Sequence, residues 1–237
     1  MHSLALRHKQ RVLEEQKQQK DSKPSQSNHA PAFAQKLPGM SLAKSNELSS
    51  LKLQLDNDLI TLKQLSGDEE KTPFKKELIE KFRPLCDIYL QTYQTWAHLD
   101  VLFWWLLWRN DVEGFSDVQP LWYEAIEKGL TTPVKFARDW QTMYLDEVFK
   151  HVDEQLKQDQ EPSIEYLDIA MVEIEEGLIA TNAPLKAKLY KLHGQALQKI
   201  GQDERALQAY EKALKLDANV GVKTVIKQLK AKVKAND

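Results

Sequence analysis

The chain of 237 residues offers two kinds of side-chain chemistry, clustered carboxylates and clustered cations. Metal-dependent phosphodiester cleavage asks for three or four carboxylates converging on divalent ions. The acidic candidates are Asp111 with Glu113, Asp146 with Glu147, and Asp168 with Glu173, Glu175 and Glu176. Glu173 and Glu176 share a helix face at i,i+3, but Asp168 lies five residues before Glu173, too far round to join them. Solvated helical faces account for all of these groups more simply. An ATP site would need a glycine loop ending in Gly-Lys-Ser/Thr. The nearest imitation, Gly67-Asp68-Glu69-Glu70-Lys71-Thr72, puts acids where phosphates would sit. No two of the six histidines have the i,i+4 spacing of a helical metal site, and no Ser-His-Asp ordering stands out. No catalytic residue, metal ligand or cofactor is therefore expected.

The cations carry more. The formal net charge of −2 excludes a general nucleic-acid signature, so any such binding must come from local asymmetry. Residues 1–45 hold eight Lys and Arg against three acids, a local charge of +5. Arg7, His8, Lys9, Arg11 and Lys17 are the candidate DNA-binding residues, on an arm that captures phosphates by charge; a merely soluble tail is the alternative. Lys223, Lys227, Lys230 and Lys234, with Lys232 among them, form a secondary basic face. The polar side of a capping helix is the more common explanation of such a face. Trp104, Trp105 and Trp108 could stack on bases, yet a buried helix face explains them better.

The elements that must position these groups are helical. Gly is scarce at eight residues, and no run sustains period-2 alternation. The predicted fold is all-α: a basic arm, a long helical hairpin, and a short helical-repeat solenoid ending in a tetratricopeptide-like unit. Residues 1–45 form the arm and a Pro- and Ser-rich linker, expected to be disordered. Residues 46–95 form the hairpin, expected to close within the chain, with packing against the same hairpin of another subunit as the alternative. Its first seam is Leu48, Leu51, Leu55, Leu62 and Leu65, broken by Asp58. Thr72-Pro73 is expected to start its second helix, and Pro84 to kink or split it near Phe82. Residues 96–182 form a central domain around Val101–Pro133, whose apolar run Val101–Trp108 is too short for a bilayer. Residues 183–237 form the last unit, with Tyr190, Gly194, Leu197, Ala206, Tyr210 and Ala213 at tetratricopeptide spacing. Asp203 and Ser163 are expected helix caps. Cys86, the only cysteine, lies on an apolar stripe as a buried thiol, which excludes a disulfide framework. The first 30 residues lack an apolar signal core, so an intracellular compartment is expected.

Several blocks together resemble the small terminase subunit family of temperate, contractile-tailed phages with cohesive DNA ends. Arg7-His8 and Arg11-Val12 open the match, and Asp58 with Thr61-Leu62-Lys63 continue it. Leu107-Trp108-Arg109, Asp111, Gly114, Ala125, Gly129-Leu130-Thr131 and Pro133 are its most specific part, followed by Glu147-Val148. The longest block runs from Ala187-Lys188-Leu189 through Gly194, Gly201, Asp203, Ala206-Leu207 and Ala213. It ends in Leu216-Asp217, Gly221-Val222-Lys223, Ile226 and Leu229. The resemblance implies a homo-oligomer in the host cytoplasm that binds double-stranded phage DNA at the cohesive-end site. It also implies a large terminase subunit, the ATPase, as partner, and no membrane. Such proteins are often described as the endonuclease subunit of terminase, whereas the residues point to recognition, with cutting on the large subunit. A metal-dependent endonuclease in its own right and a non-viral helical-repeat adaptor are the competing functions.

Overall fold

The computed structural model describes residues 42–134 and 136–236. Among them are nine α-helices and no strand, in agreement with the all-α expectation. In chain order these are α1 (Leu42–Gln64), α2 (Gly67–Thr92), α3 (Asp100–Glu113), α4 (Phe115–Glu127), α5 (Trp140–Lys157), α6 (Ile164–Glu175), α7 (Ala183–Lys199), α8 (Asp203–Leu216) and α9 (Lys223–Asn236). No helix among the described residues is long and apolar enough to cross a membrane.

The main core is built on α3. Its run of large apolar residues is hydrophobic nearly all round, so it must be enclosed on several sides. Helices α2, α4 and α5 enclose it, and Trp96, Trp105, Trp108 and Trp122 are fully buried there. A buried indole usually finds a partner for its N–H; among the described residues Trp96 and Trp108 have none, whereas three others do. Trp105 Nε1 donates to the Ile79 carbonyl at 3.0 Å, Trp122 Nε1 to that of Leu106 at 3.3 Å, and Trp140 Nε1 to that of Trp122 at 3.0 Å. Arg109 covers the Trp105 ring at 4.8 Å while holding Glu113 through a forked bond. These tryptophans are core, and only Trp104 is half-buried. Cys86 is fully buried, which pushes its thiol pKa up and leaves it unreactive.

One residue, Gly114, separates α3 from α4. It takes φ +94°, a conformation that a side chain opposes, and so the chain reverses without a loop. Four sequence expectations about helix ends and breaks are corrected. The second helix starts at Gly67, not at Thr72-Pro73, because the Glu70 carboxylate reaches back to accept from the Ser66 N–H at 2.7 Å. It is also not split at Pro84: Leu78, Ile79, Phe82, Leu85, Cys86 and Tyr89 are buried before and after it, and that packing outweighs the lost hydrogen bond. Asp203 is the first residue of α8 rather than its cap, with Gln202 in the cap position and the Asp203 carboxylate turned to Lys232. Ser163 does precede α6, but its hydroxyl accepts from Gln155 Nε2 at 2.9 Å instead of capping the helix.

A second, smaller core lies between α7, α8 and α9, made of Leu197, Ala206, Ala209, Tyr210, Val222, Ile226 and Leu229. Gly194 on α7 is required there for space. A Cβ at that position would lie 2.7 Å from the Tyr210 ring. Between α1 and α2, Asp58 meets Lys81 at 2.6 Å, so the residue that breaks the leucine seam is the one that fastens the two helices.

Candidate nucleic-acid interface

Helix α9 has an apolar stripe and a basic one, offset by a single residue. Val222 just before it and then Ile226 and Leu229 are buried against α8, and Val233 continues their spacing. Lys223, Lys227, Lys230 and Lys234 follow the same 3/4 spacing one step later, and all four are exposed. The burial of the first stripe therefore fixes the direction of the second. Lys230 is held by Glu211 at 2.7 Å, and Lys232 by Asp203. Lys223, Lys227 and Lys234 have no ion-pair partner among the described residues. Unpaired ammonium groups along one helix face can each neutralise a phosphate, and they lose no protein partner in doing so. The other candidate cations, Arg7, His8, Lys9, Arg11 and Lys17, lie outside the described residues.

The acidic candidates are engaged otherwise. Asp111 receives Lys75 at 2.7 Å, Asp146 receives Arg138 at 2.7 Å, and Glu147 accepts from Asn110 Nδ2 at 3.0 Å. Glu173 is buried and accepts from the Tyr123 hydroxyl at 2.8 Å. Burial, together with that carboxylate, pushes the Tyr123 phenol far up, so it remains a donor. Asp168 takes His193 Nε2 at 2.9 Å and Arg205 at 2.7 Å, and Glu175 takes Tyr190 at 2.9 Å and Lys212 at 2.5 Å. Burial alone would raise both carboxyls, but these donors and cations overcome it and hold Asp168 and Glu175 below their ordinary range. Among the described residues, no group of three His, Cys, Asp or Glu could hold a metal ion. His193 is a buried partner of Asp168, whereas His98 is exposed, and its backbone N–H donates to Thr131 Oγ1 at 2.9 Å.

Periodicity anticipated the α9 stripe. It did not anticipate the ion pairs that tie α6 to α7 and α8, since Asp168 with Arg205 and Glu175 with Lys212 are each 37 residues apart. No solved structure matches the chain. The terminase endonuclease subunit of Escherichia phage P2 is 28% identical over 237 residues, covering 99% of this chain and 87% of that protein. A family model described as phage small terminase subunit matches residues 52–178, more than half of the chain, from the hairpin helix α1 to just beyond α6. The chain belongs to the phage small terminase subunit family.

Proposed function

We propose that this protein is the DNA-recognising small subunit of a phage terminase, acting in genome packaging. It binds duplex DNA at the cohesive-end site and hands it to the large, ATP-hydrolysing subunit. The arm bearing Arg7, His8, Lys9, Arg11 and Lys17 makes the first phosphate contacts, and the α9 lysines make a second set. The hairpin of α1 and α2 serves assembly into a homo-oligomer, so that weak contacts on several chains add through effective concentration. The α7–α8 pair, with the Gly194–Tyr210 close approach of a tetratricopeptide-like unit, offers the partner surface. The observation that carries the reading is the basic stripe of α9, where three lysines are exposed and have no ion-pair partner among the described residues.

Cutting is assigned to the large subunit, because the carboxylates that a nuclease would need are bonded to lysines, arginines, tyrosine and asparagine. A nuclease reading draws on the printed name of the phage P2 relative, an endonuclease subunit. One experiment separates the two. The purified chain is incubated with cohesive-end and control duplexes, with and without Mg²⁺, and binding and cutting are scored. Binding without cutting is expected, and charge reversal at Arg7, Lys9 and Arg11 should weaken it while helicity and assembly persist. Cutting by this chain alone, or indifference to DNA at moderate salt, would overturn the proposal.

A further inference from the structure

Charge is divided unevenly along the chain. Residues 46–182 hold 27 acids against 13 Lys and Arg, a local charge of −14. Residues 183–237 hold five acids against twelve Lys and Arg, a local charge of +7. A duplex is therefore repelled by the central helices and drawn to the unit α7–α9. Helix α9 is the most basic part of that unit, with five lysines and no acid in its 14 residues.

The rows of side chains around α9 differ in chemistry. Val222, Ile226 and Leu229 are buried in the second core. Lys223, Lys227, Lys230 and Lys234 run along one flank, and Lys232 stands on the other, held by Asp203. At 3.6 residues per turn, Thr224, Gln228 and Ala231 fall opposite the buried row. All three are exposed, and neither the Thr224 hydroxyl nor the Gln228 amide has a hydrogen-bond partner among the described residues. The outermost row thus carries two small residues and one amide, while charge is confined to the flanks. A face built only for solvation needs no such order.

That order matches the groove of a duplex. The major groove is about 12 Å wide, and a helix with its side chains measures about 10–12 Å across. Inside the groove the outward row faces base edges. There a glutamine amide pairs with N6 and N7 of adenine, and the methyl groups of threonine and alanine meet the methyl of thymine. Because Thr224 and Ala231 are short, the backbone of α9 can approach the groove floor. The flanking lysines meet phosphates, which fix the helix in place but carry no sequence information.

We propose that α9 is a recognition helix that enters the major groove of duplex DNA. Gln228 reads a base pair, Thr224 and Ala231 lie against the groove floor, and Lys223, Lys227 and Lys234 hold phosphates. This rests on the reading that the α9 lysines contact DNA, and it adds the base contact that makes one duplex preferred over another.

Variants of the full-length chain separate reading from attraction. Gln228→Ala should cut the preference for a cohesive-end duplex over a control duplex of equal length by about tenfold, with the salt slope of binding unchanged. In selection from a randomised duplex pool, Gln228→Arg should move the preference at one base pair from adenine to guanine, because a guanidinium pairs with O6 and N7 of guanine. Both variants should keep the Tm of the parent, since the replaced side chain is exposed. The contrast is Lys223→Gln, Lys227→Gln, Lys234→Gln, which should lower the salt slope and weaken both duplexes alike. An unchanged slope in that triple variant would overturn the α9 contact itself, and the base readout with it. A lowered slope there, with the same preference and the same selected bases in parent, Gln228→Ala and Gln228→Arg, would overturn the readout alone and leave α9 as a clamp on the DNA backbone.

Discussion

Replacing Gly194 with Ala should destabilise the second core, although alanine favours a helix. A Cβ on residue 194 would lie 2.7, 2.8 and 2.9 Å from three atoms of the Tyr210 ring. The ring would have to withdraw by about 0.7 Å to restore the 3.4 Å of ordinary contact. It has little room to do so: Tyr210 is 3% exposed, and its hydroxyl donates to Gln198 at 3.1 Å. Overpacking of this kind costs about 1–3 kcal/mol, and disturbing the hydroxyl bond costs about 1 kcal/mol more. The helical preference of Ala over Gly returns about 1 kcal/mol, so the net loss is about 1–3 kcal/mol. For a chain of this size a 2 kcal/mol loss lowers Tm by roughly 4–8 °C, readable by circular dichroism on heating. The decisive comparison is Gly194→Ala in a Tyr210→Leu background, where the clash is gone and the same change should be neutral or stabilising. A gain in Tm in the parent chain, or an equal loss in both backgrounds, would refute the reasoning.

Asp58→Ala should lower Tm by roughly 2–4 °C, because the Asp58–Lys81 pair is partly shielded, with side chains 15% and 31% exposed; a double-mutant cycle with Lys81→Ala that shows no coupling would contradict this. The Asp168 carboxyl is held below its unfolded value near 3.9, so it stabilises the fold above that pH and ceases to do so as the pH falls through its lower folded value. Asp168→Asn should therefore flatten the dependence of unfolding free energy on pH below about 4, measured by urea titration; parallel curves for parent and variant would dismiss the His193–Arg205 cluster as the cause. Replacing Lys223, Lys227 and Lys234 with Gln should reduce the salt slope of DNA binding by up to about three and leave Tm nearly unchanged, whereas an unchanged slope would remove α9 from the interface.

What the sequence made legible was whatever depends on near neighbours. The α3–α4 pair, the buried Cys86 and the two stripes of α9 follow from 3/4 spacing, and the structure has them as expected. The errors arose where distant packing overrides a local rule. Pro84 is a helix breaker by its own chemistry, yet the burial of Phe82 and Leu85 beside it holds α2 in one piece. Asp58 looked like a flaw in a leucine seam because its partner Lys81 lies 23 residues away. A cleft lined by Asp68, Asp111 and Glu147 was invisible for the same reason: these residues belong to three helices, and no spacing along the chain connects them. The N-terminal basic residues are legible only as charge, since they lie outside the described residues.

The division of the interior into two cores bears on how the protein opens. Helix α9 is secured by seven buried side chains, three of them alanine or valine, while the tryptophan core is far larger and does not depend on it. Amide protons of α9 should therefore exchange through a local opening well below the free energy of global unfolding, and those of α3 only through the global event. Anything that bridges Lys223, Lys227 and Lys234 binds the closed helix alone and must slow that exchange. Protection at α9 would thus rise when DNA is added and leave α3 untouched, making a lightly anchored helix of the fold a built-in gauge of occupancy.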